Sequence, residues 1–408
     1  MESAKILGLI LDIGAELIRS GAETHRVEDS LYRLCDAYSF SACNIWVVPS
    51  NIQATVTTPD GERLTQIRHV RGPGVNFDRL DKLNALCRNA CIERPAAADL
   101  ESRLSKITAL PSLSLWLHCV GGVIAGSGFG VFFNCNLLDT CVCAVASLIV
   151  TLLVRLLSKR ESNPMVLNLI ISFFAELFIV LSVRFGFGNH IGYITIGVVM
   201  LLISGLGTTN GVRDLVHLDT LSGVMNIIAS FTGAIGIAMG IALPLLMLGF
   251  IGETESLLLN PSPILALAAS AAAGVGFSIW FGVRGWKILS CAIGSLLVWG
   301  VYLLAYLWIP NVFFATVLGS AASALFAQIM ARIHKAPATI FQTISAIPLI
   351  PGASLYYMMY GFVTNDLPFA LQKGIDLLLV CFGIVLGFMV VEVLNKYIWR
   401  KPFPHKRA

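Results

Sequence analysis

Charge is scarce in this 408-residue chain: 13% of its residues are charged and 56% are hydrophobic, whereas soluble domains carry about a quarter charged residues. That scarcity excludes an ordinary soluble enzyme. Catalytic signatures are missing too. No HExxH, GxSxG, P-loop or CxxC pattern occurs, so no zinc helix, nucleophile elbow or phosphate-cradling loop is written into the sequence. No metal and no cofactor is expected. The formal net charge of +4 is too small for an electrostatic footprint on nucleic acid. The ten cysteines are scattered, and Cys135, Cys141 and Cys143 lie in or beside apolar runs without paired ligand spacing. They read as small buried apolar residues. No apolar leader opens the chain, because Glu2, Lys5, Asp12 and Glu16 interrupt its first residues. The N-terminal region is therefore expected to stay in the cytosol.

The charge that is present is unevenly placed. Residues 1–110 hold 27 of the 52 Lys, Arg, Asp and Glu side chains, which predicts a small globular domain ahead of an apolar body. Helical periodicity covers 3–19 and 27–38, with Leu7, Ile10, Leu11, Leu17 and Ile18 on one face of the first. β-like runs follow at 44–48, 52–58 and 63–70. The last two are joined through Pro59-Asp60-Gly61, good turn chemistry for a hairpin. Helix returns over 78–91 and 97–110, giving an α+β head.

Beyond residue 110 the chain reads as a multi-span α-helical membrane protein. A helix needs about 20 apolar residues to cross roughly 30 Å of hydrocarbon, and ten such runs can be placed. They lie near 112–132, 137–157, 165–186, 190–206, 220–249, 263–282, 287–308, 311–331, 338–363 and 370–396. Alternate connections are basic: Arg155, Lys159 and Arg160 follow the second run, Arg284 and Lys287 the sixth, Arg332 and Lys335 the eighth, and Lys396, Arg400, Lys401, Lys406 and Arg407 the tenth. Cationic loops stay on the cytoplasmic side, so both termini are expected in the cytosol of a cell bounded by this inner membrane.

The apolar body repeats itself. Ala125-Gly126-Ser127-Gly128-Phe129 matches Ala273-Gly274-Val275-Gly276-Phe277 at an offset of 148, and Leu202-Ile203-Ser204-Gly205 matches Leu349-Ile350-Pro351-Gly352 at 147. Each half then holds five spans. An odd number forces the second half to enter the membrane upside down, so the expectation is a 5+5 inverted repeat, an arrangement found in transporters. The domains are expected at 1–110, 111–250 and 251–408.

Chemistry is expected where paired helices break. Pro348-Leu349-Ile350-Pro351-Gly352 interrupts one long segment, and Ser204-Gly205-Leu206-Gly207 interrupts its counterpart. Proline removes a backbone donor and clashes with the preceding turn, and freed helix ends offer unpaired N–H and C=O groups to a ligand. After the first break stand Thr208, Thr209, Asn210, Arg213, Asp214, His217 and Asp219; after the second stand Ser354, Tyr356, Tyr357 and Tyr360. Arg213 suits a carboxylate, Asp214 an ammonium group, and Thr208, Thr209 and Asn210 a side-chain hydroxyl. Gly352, Ser354 and Tyr357 complete the expected substrate site. Glu176, in mid-span, joins Asp214 and Asp219 as a proton-coupling candidate, since ionisable groups at membrane depth face functional cavities. Asp376, Glu392, Asp139 and His118 are weaker candidates. In the head, Glu16, Glu23, His25 and Glu28 form an acidic group with one histidine, read as a cytosolic gate or regulatory element.

Several motifs carry a family likeness: Ser20-Gly21-Ala22-Glu23-Thr24-His25-Arg26-Val27-Glu28-Asp29, then Asn44 with Val47-Val48-Pro49-Ser50, then Val75-Asn76-Phe77 and Leu83-Asn84. With the ten-span body, the chain resembles the threonine/serine exporter family over essentially its whole length. The resemblance implies a proton-driven exporter of small hydroxy amino acids in the cytoplasmic membrane. Its implied partners are the amino-acid substrate, protons and lipid, with a second copy of the chain left open. Two alternatives stand beside this reading: export of small dicarboxylates such as succinate, and a membrane-anchored hydrolase or sensor acting through the head.

Overall fold

In a computed structural model the described residues run from Glu2 to Ile398, apart from Arg71, Pro73, Ser112, Lys159, Ser162 and residues 204–206, 208–210, 212–213, 216–218 and 250–261. The head follows its sequence pattern closely. Helices α1 (Glu2–Arg19) and α2 (Thr24–Ala37) precede strands β1 (Ser41–Val48), β2 (Asn51–Thr57) and β3 (Arg63–His69), and then come α3 (Phe77–Glu93) and α4 (Ala97–Thr108). The strands form one antiparallel sheet in the order β1-β2-β3. On β2 the buried residues Ile52, Ala54 and Val56 alternate with partly exposed neighbours, the pattern of a strand with one covered face. Gly61 adopts φ +82° in the expected hairpin, a backbone region in which a side chain is strained. The structure adds a second tight hairpin, pairing Val48 with Asn51. All ten cysteines are free and seven are buried; in the head, burial pushes the Cys87 thiol up to about 12.

Among the described residues, eight helices of the body are long and apolar enough to cross a membrane: α5 (Leu115–Phe132), α6 (Leu137–Leu157), α7 (Pro164–Arg184), α9 (Thr220–Leu248), α10 (Pro263–Trp280), α11 (Lys287–Trp308), α12 (Val312–His334) and α15 (Leu367–Ile398). A bent pair, α13 (Ala338–Ala346) and α14 (Gly352–Val363), is joined by a 3-10 turn at Ile347–Leu349 with a 50° change of direction, the shape of a broken span or a re-entrant loop. The expected helix over 190–206 differs. The described helix α8 (Ile191–Val199) has nine residues, about 13 Å at 1.5 Å per residue, too short to cross alone. Ten full spans are therefore not what the described residues contain.

Packing between the helices is governed by small residues. Helices α5 and α10 cross so closely that a Cβ on Gly276 would collide with the backbone of Ala125, while one on Gly128 would meet the backbone of Ala273. These are the repeated motifs of the sequence, touching reciprocally: residue 128 meets 273 and residue 276 meets 125. Phe129 and Phe277, equivalent at offset 148, touch edge to face with centroids 5.8 Å apart. Gly126 and Gly274 lie against Ser147 and Ser295, and Gly240 and Gly387 against Ser172 and Ser320. Each pair is again related by 147 or 148 residues. Asn163 and Asn311, another such pair, both cap helix N-termini, accepting from the backbone N–H of Met165 and Phe314 at 3.0 Å.

The head is seated on the later helices. Its core, built on Leu7, Ile10, Leu31, Ile52 and Leu83, continues through Val283, Cys291, Ala327, Ile340, Phe341 and Ile344. The amide of Phe77 donates to the carbonyl of Phe281 at 2.8 Å, Arg284 pairs with Asp78 at 3.3 Å, and Lys287 pairs with Asp81. Arg88 donates to the Lys335 carbonyl at 3.0 Å. The head thus lies on the side of the body where two of the basic connections emerge.

Candidate functional site

The break at Ser204-Gly205-Leu206 lies outside the described residues, but the residues just before it pack against the other break. Gly352, at the start of α14, has Met200 and Ile203 so close that a Cβ there would overlap the Met200 sulfur. Proline residues 348 and 351 remove two donors from this stretch, and the chain leaves α13 through the 3-10 turn before α14 begins. On the other side α8 ends at Val199 and the chain turns through Met200 to Leu202. A narrow cleft opens beside this junction, lined by Val199, Ile203, Ala238, Ile241, Tyr356 and Tyr360 among others. Its walls are almost wholly apolar, so the polar chemistry must come from its edges.

Glu176 provides one such edge. It is 1% exposed on α7, and both its carboxylate oxygens accept from Thr195 Oγ1 on α8, at 3.0 and 2.9 Å. No cation pairs with it among the described residues. Tyr356 of α14 lies within electrostatic reach of it, so the first residues of α14 and the acid of α7 share one neighbourhood. Tyr357 points elsewhere. Its ring packs against Tyr356 and Phe369, with the Lys373 ammonium 6.0 Å from its centre. Ser354 is half-buried.

A second polar zone lies under the head. Asp214 is 7% exposed and accepts from Asn226 Nδ2 at 3.0 Å and from Thr24 Oγ1 at 3.5 Å. The neighbouring head residue, Glu23, accepts from Thr339 Oγ1 on α13 at 3.1 Å and pairs with Arg26 at 3.2 Å. One dipeptide, Glu23-Thr24, therefore bridges the α8–α9 connection and the start of α13. Asp219 stands at the N-terminus of α9, its amide donating to the Asp214 carbonyl at 2.9 Å.

Measured against the sequence reading, Gly352 packs against Met200 and Ile203, Glu176 is held by Thr195 of α8, and Asp214 lies beneath the head against Thr24 with Asp219 bonded to it. Thr208, Thr209, Asn210, Arg213 and His217 lie outside the described residues. Glu16 is engaged inside the head with Arg19 at 2.6 Å and Arg79 at 3.6 Å, away from Glu23. His25 is exposed and Glu28 half-buried, and both have partners. Ser20 is fully buried, so Ser20 and the exposed His25 are not presented on one surface as a nucleophile and its base.

Several polar residues escaped the sequence reading. Thr195, Asn226 and Thr339 sit in apolar or neutral stretches where one hydroxyl or amide carries no periodic signal. Asp139 proves fully buried, accepting from the amides of Asn189 and His190 at 2.7 and 3.3 Å and pairing with His190 Nδ1 at 2.7 Å. It fastens the start of α8 to the start of α6 at the end of the body remote from the head.

Long apolar helices, broken segments meeting in their midst and an acid buried beside the junction define a class: a multi-pass membrane transporter. Comparison with known proteins gives the family. A model described as "Putative threonine/serine exporter" matches residues 8–248, and a second, described as "Threonine/Serine exporter, ThrE", matches residues 266–394; the chain belongs to the threonine/serine exporter family. A "Probable threonine/serine exporter" of Mycobacterium tuberculosis is 22% identical over 417 residues, covering 97% of this chain and 78% of that protein. No solved structure matches.

Proposed function

We propose that this exporter carries threonine and serine out of the cytosol in exchange for protons, by alternating access around the junction of its two broken segments. The observation that carries this reading is the seating of Gly352 against Met200 and Ile203 with Glu176 alongside. Two discontinuous helices meeting at a buried carboxyl group supply free backbone ends for a zwitterion and a group able to carry a proton. In this reading Glu176 is the proton-coupling residue, while Asp214 and the adjacent Arg213 serve the substrate as it enters from the head side. Gly352 and Ser354 line the second break, and Tyr357 guards its far end.

The reciprocal contacts 128–273 and 276–125 support two inverted halves, 111–250 and 251–408, related by a two-fold axis through Phe129 and Phe277. The acidic head residues Asp78 and Asp81, paired with the basic connections at Arg284 and Lys287, support a cytosolic head over 1–110, because basic loops face the cytoplasm. The bridge made by Glu23 and Thr24 supports a gating role for the head, with His25 and Glu28 next to it in the chain and Glu16 acting from within the head.

Purified protein in proteoliposomes, given an imposed proton gradient, tests the reading with labelled threonine, serine and succinate side by side. Threonine and serine should move and should stop when an ionophore collapses the gradient. Equal rates with and without the gradient would remove proton coupling, and movement of succinate alone would replace the substrate.

A further inference from the structure

One stripe of α3 looks toward the body. Asp78, Asp81, Ala85, Arg88 and Ile92 recur at spacings of three and four along this helix, so they share a face. Three of them touch the body: Asp78 pairs with Arg284, Asp81 with Lys287 at the start of α11, and Arg88 donates to the Lys335 carbonyl at the end of α12. From Asp81 to Arg88 is roughly 10 Å along the axis at 1.5 Å per residue, about the distance between two packed helices. Helix α3 therefore lies across the head-side ends of α11 and α12. Ile92 is the next residue of the same stripe, one turn past Arg88, and it is 81% exposed among the described residues.

What Ile92 faces follows from its level. At two of these contacts an exposed apolar side chain of the body stands next to the contact: Trp286 precedes Lys287, and Ile333 comes two residues before Lys335. Ile333 ends a row of exposed residues, with Leu325 and Ile329, that descends α12 at four-residue spacing. On a membrane-spanning helix such a row meets acyl chains, and a tryptophan at a helix end sits among the headgroups. The last turn of α3 thus stands at the level of the bilayer surface, just past the end of α12.

Its surroundings are basic. Arg88 and Arg94 flank Ile92 in the chain, Arg332 and Lys335 end α12, and all four are exposed. The adjacent acid, Glu93, pairs with Arg103 at 2.6 Å. The residues after Ile398 include Arg400, Lys401, Lys406 and Arg407, the same sign as this rim, so charge argues against that segment as the occupant. A surface that joins one exposed isoleucine to several cations is complementary to an anionic lipid layer, which takes the apolar group between its headgroups and the guanidinium groups on its phosphates.

We propose that the last turn of α3 is a lipid-binding edge of the head: Ile92 inserts among the headgroups of the adjacent leaflet, and Arg88, Arg94, Arg332 and Lys335 bind the phosphates of anionic phospholipids. The proposal is independent of what the protein transports. It gives the head a second seat besides α11, α12 and α13, and it makes the position of the head sensitive to the charge of the membrane.

The full chain in lipid nanodiscs tests it. The photo-crosslinking residue p-benzoylphenylalanine is placed at position 92 and, as the control, at position 46, because Trp46 is exposed on the open face of a sheet that packs on α1 and α2. After irradiation, intact mass should show a phospholipid adduct at 92 and none above background at 46. The yield at 92 should be at least about fivefold higher with phosphatidylglycerol than with phosphatidylcholine, the scale of one cation at an anionic surface, and Arg94→Glu should reduce that preference. Equal lipid adducts at both positions would overturn the proposal. So would an adduct at 92 formed only with the protein itself, which would give the patch to the residues after Ile398 or to a second copy. Equal yields from the two lipids would overturn the assignment to anionic headgroups. Should incorporation at 92 fail to give folded protein, Ile92→Asp is compared with wild type by limited proteolysis in phosphatidylglycerol discs. Its head should be cleaved about fivefold faster, the worth of partly burying one isoleucine, and equal rates would overturn the proposal.

Discussion

Set side by side, positions of the body that lie 147 or 148 residues apart agree in packing and disagree in charge. Ser147 and Ser295 fill the same notch against Gly126 and Gly274, Ser172 and Ser320 the same notch against Gly240 and Gly387, and Asn163 and Asn311 cap the same helix. The acids and bases are not shared. Asp139, which ties α6 to the start of α8, has Lys287 as its equivalent, and Lys287 reaches into the head to Asp81. Glu176 has Ala324. Close helix approach in lipid depends on small residues at fixed places, so both halves keep them. Charge at membrane depth is costly and is retained where it acts, so each half keeps its own. The comparison also shows that the head, joined in sequence to the first half, is built onto the second: its core runs into α11, α12 and α13.

The largest effect is expected where the halves differ most. Glu176→Gln preserves the shape of the side chain, which sits with Thr195, and removes the ability to exchange a proton. Proton-driven threonine transport should fall at least about a hundredfold, about 2.7 kcal/mol of lost driving effect at 1.36 kcal/mol per tenfold, while threonine binding to the detergent-solubilised protein changes less than about threefold. Transport within a factor of two of wild type would take Glu176 out of the coupling path and leave the asymmetry without a function.

Symmetry itself can be broken at the glycines. Gly236 and Gly240 on α9 face the Met165 carbonyl and Ser172 on α7, and Gly383 and Gly387 on α15 face the Phe313 carbonyl and Ser320 on α12. Both are GxxxG pairs, whose missing side chains let two helices touch. Adding one methyl group forces the neighbours apart, at a cost of about 1–3 kcal/mol. Gly240→Ala and Gly387→Ala should therefore lower thermal stability in detergent by similar amounts. A large loss in one and none in the other would mean that the two interfaces are not equivalent.

Much of this was legible in the sequence because it is periodic. The head's helices and strands follow from residues such as Leu7, Ile10 and Leu11 or Ile52, Ala54 and Val56, and the long helices from apolar runs whose ends carry Asn, Pro and Gly. The repeat showed at Gly126 and Gly274 because small residues cluster there. The broken segment was legible through Pro348 and Pro351. What stayed hidden was pairing across space: Thr195 with Glu176, Asp139 with His190, Glu23 with Thr339. A lone threonine in an apolar helix has no neighbour in sequence that announces its partner, and contacts between residues 316 positions apart leave no local trace. The head's seat on the second half was hidden for the same reason, since chain order placed it beside the first.

That seat is open to a test of intermediate size. Lys287 and Asp81 are each about a quarter exposed, so their pair is neither fully screened nor fully desolvated. Removing one partner should cost about 1–2 kcal/mol, between the values for exposed and buried ion pairs. Lys287→Ala should make the head more sensitive to limited proteolysis, whereas Asp139→Asn, at the equivalent position of the first half, should leave head cleavage unchanged and loosen the α7–α8 connection instead. Equal head sensitivity in both variants would mean that the head leans on the two halves alike.

The smallest effect concerns the head's link to the first half. Thr24 Oγ1 reaches Asp214 across 3.5 Å, a long hydrogen bond to a carboxylate that Asn226 also holds at 3.0 Å. Thr24→Val keeps the bulk and removes the donor, leaving Asp214 with its Asn226 partner, so stability should change by only about 0.5–1 kcal/mol. If the two halves rock against each other while the head stays with α11, α12 and α13, this contact is one that must open in each cycle. Thr24→Val should then speed transport modestly, about twofold, without moving KM, because a weaker latch lowers the barrier to opening and leaves binding alone. Slower transport with a raised KM would make Thr24 part of the substrate path, and would bring Asp214 back among the residues that touch the ligand.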